Sequence, residues 1–322
     1  MTAGGSGTAP LRALLPAVGG RPLAELPRGL YAYVMAASRR QQVPLVLLTL
    51  AIFPLTLAPI DLQRRLIDDA IGGRNPRLLL ILAGLYLAAV LLQAGLKLVR
   101  NIYQERVAQG ITRRLRRRII EDGDGLADGT AQSILVAEAE KLGGFVGEAV
   151  AFPLLQAGIV VSVAGYMLAV DPAVAIVALG LFVPSIVAVA LMQPRLDRLA
   201  GRKTEATREL GDAALDDDRS EAAETRLDRL VETIYGLRIR FAVVKFALKS
   251  FNNLLGHLGP LSILAIGGWL VLEGSTTVGT IVAFASGYQR MTDPARDLLN
   301  FYRRLSLMRV QYRMVREAAE GL

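Results

Sequence analysis

The chain has 322 residues, of which 52% are hydrophobic and only 20% are charged, and its mean hydropathy is +0.39. This balance is unusual for a soluble domain and indicates apolar segments separated by charged stretches. Because there is no cysteine and only one histidine, disulfides, thiolate metal sites and multi-histidine metal centres are excluded. A net charge of +8 is the usual result of basic cytoplasmic loops in a membrane protein, so we expect no nucleic-acid partner.

Residues 1–42 are predicted to form a cytoplasmic N-terminal segment. After a Gly/Thr/Ala-rich start, residues 11–42 contain five arginines and a single acidic residue. These arginines, together with Tyr31 and Tyr33 beside apolar residues, are typical of a helix that lies in the headgroup region. We therefore expect an interfacial elbow helix before the first membrane span, and no cleavable signal peptide.

Six apolar segments are predicted to cross a bilayer. The clearest two are uncharged runs of 22 and 23 residues on either side of Asp171. Because a helix rises about 1.5 Å per residue, each run spans the hydrocarbon core of about 30 Å. Asp171 before Pro172 predicts that one helix ends and the next begins there, joined by a tight turn. The predicted spans are 43–60, 78–98, 149–170, 172–194, 250–272 and 274–300.

Two long polar stretches are predicted to project from these spans on one side of the membrane. Residues 97–148 carry nine lysines and arginines and residues 195–249 carry twelve, whereas the turns at Asp171 and Glu273 carry none. By the positive-inside rule, both stretches and both termini are cytoplasmic. Apolar residues at helical spacing predict that each stretch is a pair of helices. Five arginines form a cluster in the first stretch: Arg113, Arg114, Arg116, Arg117 and Arg118. Such a cluster can bind anionic lipid or pair with acidic residues of the other cytoplasmic helices, and we favour pairing.

Short sequence stretches occur in a recognisable order along the chain. They are LIDDAI at 66–71, KFALKSFNN at 245–253, IGGWLVLEG at 266–274, TVGTIVAF at 277–284 and Asp-Pro at 293–294. In this order they resemble the transmembrane domain of an ABC exporter of the six-helix, type I exporter fold. The resemblance covers residues 30–318. It implies an all-α membrane protein with six transmembrane helices and two long helical cytoplasmic extensions, in a domain over 43–318 and in a bacterial inner membrane.

Two features depart from that family. The 322 residues contain no G-x-x-x-x-G-K-[ST] motif, so we expect no ATPase domain, no enzymatic activity and no cofactor in this chain, with ATP and Mg acting only through a partner. The tips of the two extensions are residues 121–130, which are rich in Gly and Asp, and residues 215–224, which are rich in acidic residues and contain no Gly. Both tips lack aromatic residues, whereas the family places apolar or aromatic coupling residues there. The candidate ATPase-coupling residues at these tips are Asp124, Leu126, Asp128, Asp217 and Arg219.

Polar residues within the predicted spans are candidates for a substrate path, because polar groups are costly inside a bilayer. They are Gln93, Gln156, Asn252, Asn253 and His257. Hydrogen bonds between helices would explain the two glutamines equally well, and a neutral histidine bonded to another helix would explain His257. Four glycines are expected to allow close helix packing: Gly267, Gly268, Gly279 and Gly287.

The resemblance leads to two hypotheses of function. In the first, the chain is the permease subunit of an ABC-type exporter, half of a substrate pathway as a homodimer or with a homologous half, driven by ATP hydrolysis in a separate nucleotide-binding subunit. In the second, it is a degenerate transporter domain that serves as an ATP-independent structural or accessory subunit of a membrane complex, which the acidic tips favour. A secondary transporter is less favoured, because the first five predicted spans and the apolar part of the sixth, residues 274–289, contain no acidic residue to carry a proton.

Overall fold

The computed structural model describes residues 27–122, 129–215 and 221–320. Every regular element within these ranges is helical, which confirms the all-helical prediction. The helices are α1 (Leu30–Arg65), a π-helical segment (Leu66–Ile71), α2 (Pro76–Asp122), α3 (Gly129–Glu148), α4 (Ala151–Val170), α5 (Pro172–Leu215), α6 (Glu221–Leu272) and α7 (Val278–Glu320). The five candidate coupling residues, Asp124, Leu126, Asp128, Asp217 and Arg219, lie outside the described residues.

Three of the four extension helices continue the predicted spans without a break, whereas α3 is separated from α4 by a turn at Ala149 and Val150. Helix α6 has 52 residues, and α2, α5 and α7 each have more than 40. At 1.5 Å per residue, α6 is about 78 Å long, more than twice the thickness of the hydrocarbon core. Helix α1 also runs unbroken from Leu30 through the predicted boundary at residue 43, with Pro44, Pro54 and Pro59 inside it. Prolines are tolerated in this way in membrane helices, where neighbouring groups satisfy the freed backbone.

Five helical stretches among the described residues are long and apolar enough to span a membrane. They are Leu30–Ile71, Pro76–Arg117, Ala139–Val170, Pro172–Ala214 and Glu224–Leu272. The sixth predicted span, 274–300, falls in α7, where Arg290, Asp293 and Arg296 interrupt its apolar residues. Because charges inside a span are costly, composition alone does not mark this stretch as a sixth span. The count of six stays a prediction.

The turn between α4 and α5 is where the sequence predicts it. Helix α4 ends at Val170 and α5 begins at Pro172. The Asp171 carboxylate accepts the backbone N–H groups of Ala173 and Val174 at 3.1 and 3.2 Å. Asp171 therefore caps the N-terminus of α5, where a negative charge also offsets the helix dipole.

The chain divides into two compact units, and the first contains residues up to Leu62, Ile81–Ser162 and residues from Asn300 onward. Its core is formed by the N-terminal part of α1, the C-terminal half of α2, α3 and the C-terminal half of α7. Phe301 of α7 packs between Phe145 of α3 and Phe152 of α4, with ring centroids 5.9 Å apart in both pairs. These aromatic rings join three helices in one apolar cluster.

Helices α2 and α3 pack closely within this unit because small residues face each other. A methyl group at Gly143 would lie 2.9 Å from the backbone nitrogen of Thr112 and 3.0 Å from the carbonyl oxygen of Ala108. Further along the same pair, Arg116 of α2 forms a 2.6 Å ion pair with Glu140 of α3. The expected pairing of the arginine cluster is confirmed for this arginine.

The end of α7 is attached to the start of the described chain. The Tyr312 hydroxyl donates a hydrogen bond of 2.6 Å to the carbonyl oxygen of Pro27, and its ring lies 5.3 Å from that of Tyr33. Burial raises the pKa of Tyr312 to about 12, although the nearby Arg316 charge lowers it. The hydroxyl therefore remains a hydrogen-bond donor across the physiological pH range.

The second compact unit contains Gln63–Leu80 and Val163–Leu299. Helices α5 and α6 form a long antiparallel pair, with Arg226 bonded to Glu209 at 3.1 Å near one end. Towards the other end, the Ser185 hydroxyl donates to the side-chain oxygen of Asn252 at 3.0 Å. The start of α7 joins this pair through Tyr288, whose hydroxyl donates to the carbonyl oxygen of Leu255 at 3.2 Å.

Candidate functional site

One carboxylate in the second unit connects the π-helical segment to the start of α7. Asp68 accepts the backbone N–H of Gly279 at 2.8 Å through Oδ1 and the hydroxyl of Thr277 at 2.6 Å through Oδ2. Thr277 in turn accepts the backbone N–H of Thr280 at 3.2 Å. The N-terminus of α7 is thus capped by a threonine hydroxyl and by a carboxylate from another helix, and the negative charge is favourable at that end.

Gly279 is required by the closeness of this junction. A methyl group at this position would collide with the Asp68 carboxylate and with the carbonyl oxygen of Arg64. The expected role of Gly279 in close packing is therefore confirmed, and Gly267 likewise lies against Ile281. The prediction is wrong for Gly268, because a methyl group there would meet no described atom within 4 Å.

The Asp68 junction unites two stretches that carry the family resemblance, LIDDAI at 66–71 and TVGTIVAF at 277–284. Both stretches are visible in the sequence, but their contact with each other is not. A threonine directly before an apolar helical run is the sequence signal for an N-cap. Nothing in the sequence indicates that a carboxylate more than 200 positions away completes it.

The two glutamine candidates lie in the first unit, and both are buried. The side-chain nitrogen of Gln93 donates to the Thr56 hydroxyl at 2.8 Å, which links α2 to α1. An interhelical hydrogen bond therefore accounts for the burial of Gln93 without a substrate. Gln156 of α4 is 8% exposed.

The other three candidates lie on α6 in the second unit. Asn252 is half-buried and accepts the bond from Ser185, whereas Asn253 and His257 are exposed one helical turn apart. On the same face of α6, over residues 231–246, lie large apolar side chains that are 48% to 62% exposed. These residues, which we call the α6 stripe, are Val231, Tyr235, Ile239, Val243 and Phe246.

The α6 stripe follows helical spacing, because its members are three or four residues apart. Asn253 comes seven residues after Phe246, so it and His257 continue the same face of the helix. The structure thus groups two of the five polar candidates with an exposed apolar surface. Among the described residues, no cluster of three or more His, Asp or Glu side chains is arranged to hold a metal ion.

Known proteins with similar sequences are multidrug exporters. A putative multidrug export ATP-binding/permease protein of Bacillus subtilis (strain 168) is 23% identical over 310 aligned positions, which cover 84% of this chain and 51% of that protein. A multidrug efflux ATP-binding/permease protein of Mycobacterium tuberculosis (strain H37Rv) and one of the same name in Mycobacterium bovis are each 31% identical over 80 residues, 25% of this chain and 7% of those proteins.

The chain is distantly homologous to ABC multidrug exporters. Together with the five apolar helices, this relationship supports a membrane protein related to ABC transporters. The chain spans about half the length of the Bacillus relative and a small part of the mycobacterial ones. No protein-family model matches the sequence.

Proposed function

We propose that these residues form the permease half of an ABC-type exporter, which pairs with a second half and is driven by ATP hydrolysis in a separate nucleotide-binding subunit. The observation that carries this proposal is the alignment with the Bacillus exporter across 84% of the chain. In this proposal the chain is not itself an ATPase and holds no cofactor. It lies in a bacterial inner membrane with both termini in the cytoplasm.

The exposed α6 stripe supports the proposal that a second half binds to this chain. Residues 220–249 are assigned to the cytosol by their charges, so the stripe would face water in an isolated chain. Burying the exposed parts of five large apolar side chains would contribute on the order of 5 kcal/mol. A second copy can supply a matching surface, because a two-fold axis places the same patch on both partners.

Asn253 and His257 extend this surface into the predicted fifth span. If the stripe faces a second half, these two side chains face the space between the halves. Polar groups in that position can hydrogen-bond a substrate within the bilayer. Gln93 already has a protein partner, so in this proposal it stabilises the fold.

A cross-linking experiment tests the pairing. Because the chain has no cysteine, Tyr235→Cys introduces a single thiol on the stripe, and Thr233→Cys introduces one on nearly the opposite side of α6. Both positions are exposed. We expect a short bismaleimide to cross-link two Tyr235→Cys chains in native membranes and not two Thr233→Cys chains. Equal cross-linking of both variants, or of neither, would contradict the proposed interface.

Purification in mild detergent from native membranes, followed by mass spectrometry, tests the coupling to an ATPase. We expect a stoichiometric nucleotide-binding protein to co-purify. Replacing Asp124, Asp128 and Asp217 by lysine should release it, because these residues lie at the proposed coupling tips. Glu205→Lys, a single charge reversal of the same kind at an exposed position on α5, serves as the control for each of these replacements made singly and should leave it bound.

The accessory-subunit hypothesis is the second candidate function, and the acidic tips without aromatic residues favour it. A hydrophobic groove on an ATPase would gain little from such tips, since they offer no apolar side chain larger than leucine. Recovery of the chain in another membrane complex, with no ATPase at any stoichiometry, would support this alternative and contradict the permease proposal.

A further inference from the structure

A groove runs between α3 and α7 in the first unit, with a volume of about 460 Å³. Gly144 and Phe145 line it from α3, and Leu307, Val310 and Gln311 line it from α7. The volume lies in the range of sites that hold small ligands in proteins, roughly 300–1,000 Å³. The groove can therefore hold a few side chains of a peptide, and it is too small for a folded partner.

The charged groups along the groove already have partners. Glu140 forms an ion pair with Arg116 at 2.6 Å, and Glu148 forms one with Arg304 at 2.7 Å. Lys141 also interacts with another group. Neither carboxylate is available to a ligand without the loss of its arginine, so we expect the contacts made in the groove to be apolar.

Apolar side chains of the groove are exposed at its α7 wall. Leu307 is 63% exposed and Val310 is 55% exposed. Both lie beyond the predicted sixth span, in a part of α7 that has five arginines over residues 301–316. The positive-inside rule assigns this part to the cytoplasm, where exposed apolar side chains are unfavourable. A segment that covers them therefore gains free energy.

The described chain begins next to this groove. The Tyr312 hydroxyl donates to the carbonyl oxygen of Pro27 at 2.6 Å, and the Arg316 guanidinium donates to that of Arg28 at 3.3 Å. Tyr312 directly follows Gln311, which lines the groove. Two hydrogen bonds thus hold the first described residues beside one end of the groove.

The sequence before Pro27 includes a short apolar stretch. Residues 11–18, LRALLPAV, contain three leucines and a valine but only one charged residue, Arg12. Gly19 and Gly20 follow directly, and glycine allows the chain to reverse direction at little steric cost. The stretch thus has the apolar side chains that the groove can cover.

The link between this stretch and Pro27 is long enough to reach the groove. Residues 19–26 span at most about 26–29 Å when fully extended. The groove lining on α3 covers eight positions, from Glu140 to Glu148, or about 12 Å of helix. A short link holds its segment at an effective concentration on the order of millimolar. A partner in a separate molecule has no such advantage.

We propose that residues 11–18 of this chain bind in the groove, with their leucine side chains against Phe145, Leu307 and Val310. The segment covers apolar surface that would otherwise face water, and it attaches the N-terminal part of the chain to α3 and α7. Because the chain supplies its own occupant, the groove is closed to lipids and to other proteins. This interaction does not depend on the proposed permease function.

Cysteine cross-linking in the full chain tests the proposal, because the chain has no cysteine of its own. Gly144→Cys places a thiol in the groove, at a position where a methyl group meets no described atom within 4 Å. Ala13→Cys places a second thiol in the segment without removing a leucine. We expect a short bismaleimide to join the two thiols within one chain, as identified by mass spectrometry of the digested protein.

A third position provides the matched control for the groove. Tyr302 is 70% exposed on α7 and is not among the residues that line the groove. Its replacement, Tyr302→Cys, is therefore an accessible thiol outside the proposed site. Cross-linking of Ala13→Cys to this thiol should be roughly tenfold lower than to Gly144→Cys, because the bound segment holds its own thiol elsewhere.

Changes in the segment test its apolar contacts. Leu14→Asn and Leu15→Asn, each made singly, remove an apolar side chain from the segment. At least one of them should lower the cross-linking of Ala13→Cys to Gly144→Cys by about tenfold, the equivalent of one buried leucine. Leu23→Asn is the control, because it changes the same residue type in the link and should leave the yield unchanged.

Four results would overturn the proposal. They are equal cross-linking to Gly144→Cys and Tyr302→Cys, a yield that neither Leu14→Asn nor Leu15→Asn lowers, cross-links that form only between separate chains, and no cross-link to Gly144→Cys at all. The third result, obtained with the two cysteines on differently tagged copies, would identify a second copy as the source of the segment. The fourth, together with slow labelling of Gly144→Cys by a water-soluble maleimide, would identify a lipid as the occupant.

Discussion

Replacing Gly279 by alanine is expected to lower the free energy of unfolding by about 2–4 kcal/mol, the combined cost of overpacking and of a lost helix cap. The added methyl group would collide with the Arg64 carbonyl oxygen and the Asp68 carboxylate. Arg64 contributes a backbone atom to this collision, so a side-chain rotation cannot relieve it. The carboxylate would be displaced from the Gly279 N–H, and the start of α7 would lose its cap.

The fluorescence of the single tryptophan measures this effect. Trp269 lies near the end of α6, in the same compact unit as Asp68, and its indole N–H donates to Glu273 at 2.7 Å. Thermal unfolding of the detergent-solubilised protein, followed by this fluorescence, should show a lower midpoint for Gly279→Ala. Gly268→Ala is the matched control, because a methyl group there meets open space. Equal midpoints for the two variants would refute the proposed junction.

Replacing Gly143 by alanine is expected to destabilise the first unit by roughly 1–3 kcal/mol, because overpacking outweighs the gain in helix propensity. The methyl group would press against the backbone nitrogen of Thr112 and the carbonyl oxygen of Ala108. Both are backbone atoms of α2, so α2 and α3 would have to separate. Separation would also strain the ion pair between Arg116 and Glu140.

The neighbouring glycine provides the control for this prediction. Gly144→Ala adds the same methyl group one position further along α3, where no described atom lies within 4 Å of it. Its stability should be unchanged or higher by up to about 1 kcal/mol, since alanine favours a helix more than glycine does. Thermal melting followed by circular dichroism compares the two. A loss of stability in Gly144→Ala as large as that in Gly143→Ala would contradict the packing of α3 on α2.

Elements governed by local composition were predictable. The turn at Asp171 follows from an acidic residue before a proline between two uncharged runs, and the structure places both helix boundaries there. The long extensions follow from apolar residues at helical spacing among charges. The sequence predicts that an arginine of the cluster pairs with an acidic residue of a neighbouring extension helix, as Arg116 does. It does not predict that Glu140 is the partner.

Contacts between distant positions were not predictable in the same way. Gly267, Gly268 and Gly279 look alike in the sequence, yet two of them lie against other atoms and the third faces open space. The α6 stripe is not apparent from the sequence either, because its apolar residues are interspersed with charged ones and resemble an ordinary buried face. Only exposure in the folded chain distinguishes a face that packs internally from one left for a partner.

The sequence by itself determined the apolar helices, their charged extensions and the distant relationship to ABC exporters, because hydropathy, charge and helix breaking act over a few neighbouring residues. The tertiary structure decided that Asp68 caps α7, that Gln93 bonds to Thr56, and that α3 and α7 enclose a groove beside Glu148. These features depend on which helix faces meet. That choice is made by packing over the whole chain, since many faces have similar composition and only one arrangement fills space and satisfies the buried polar groups.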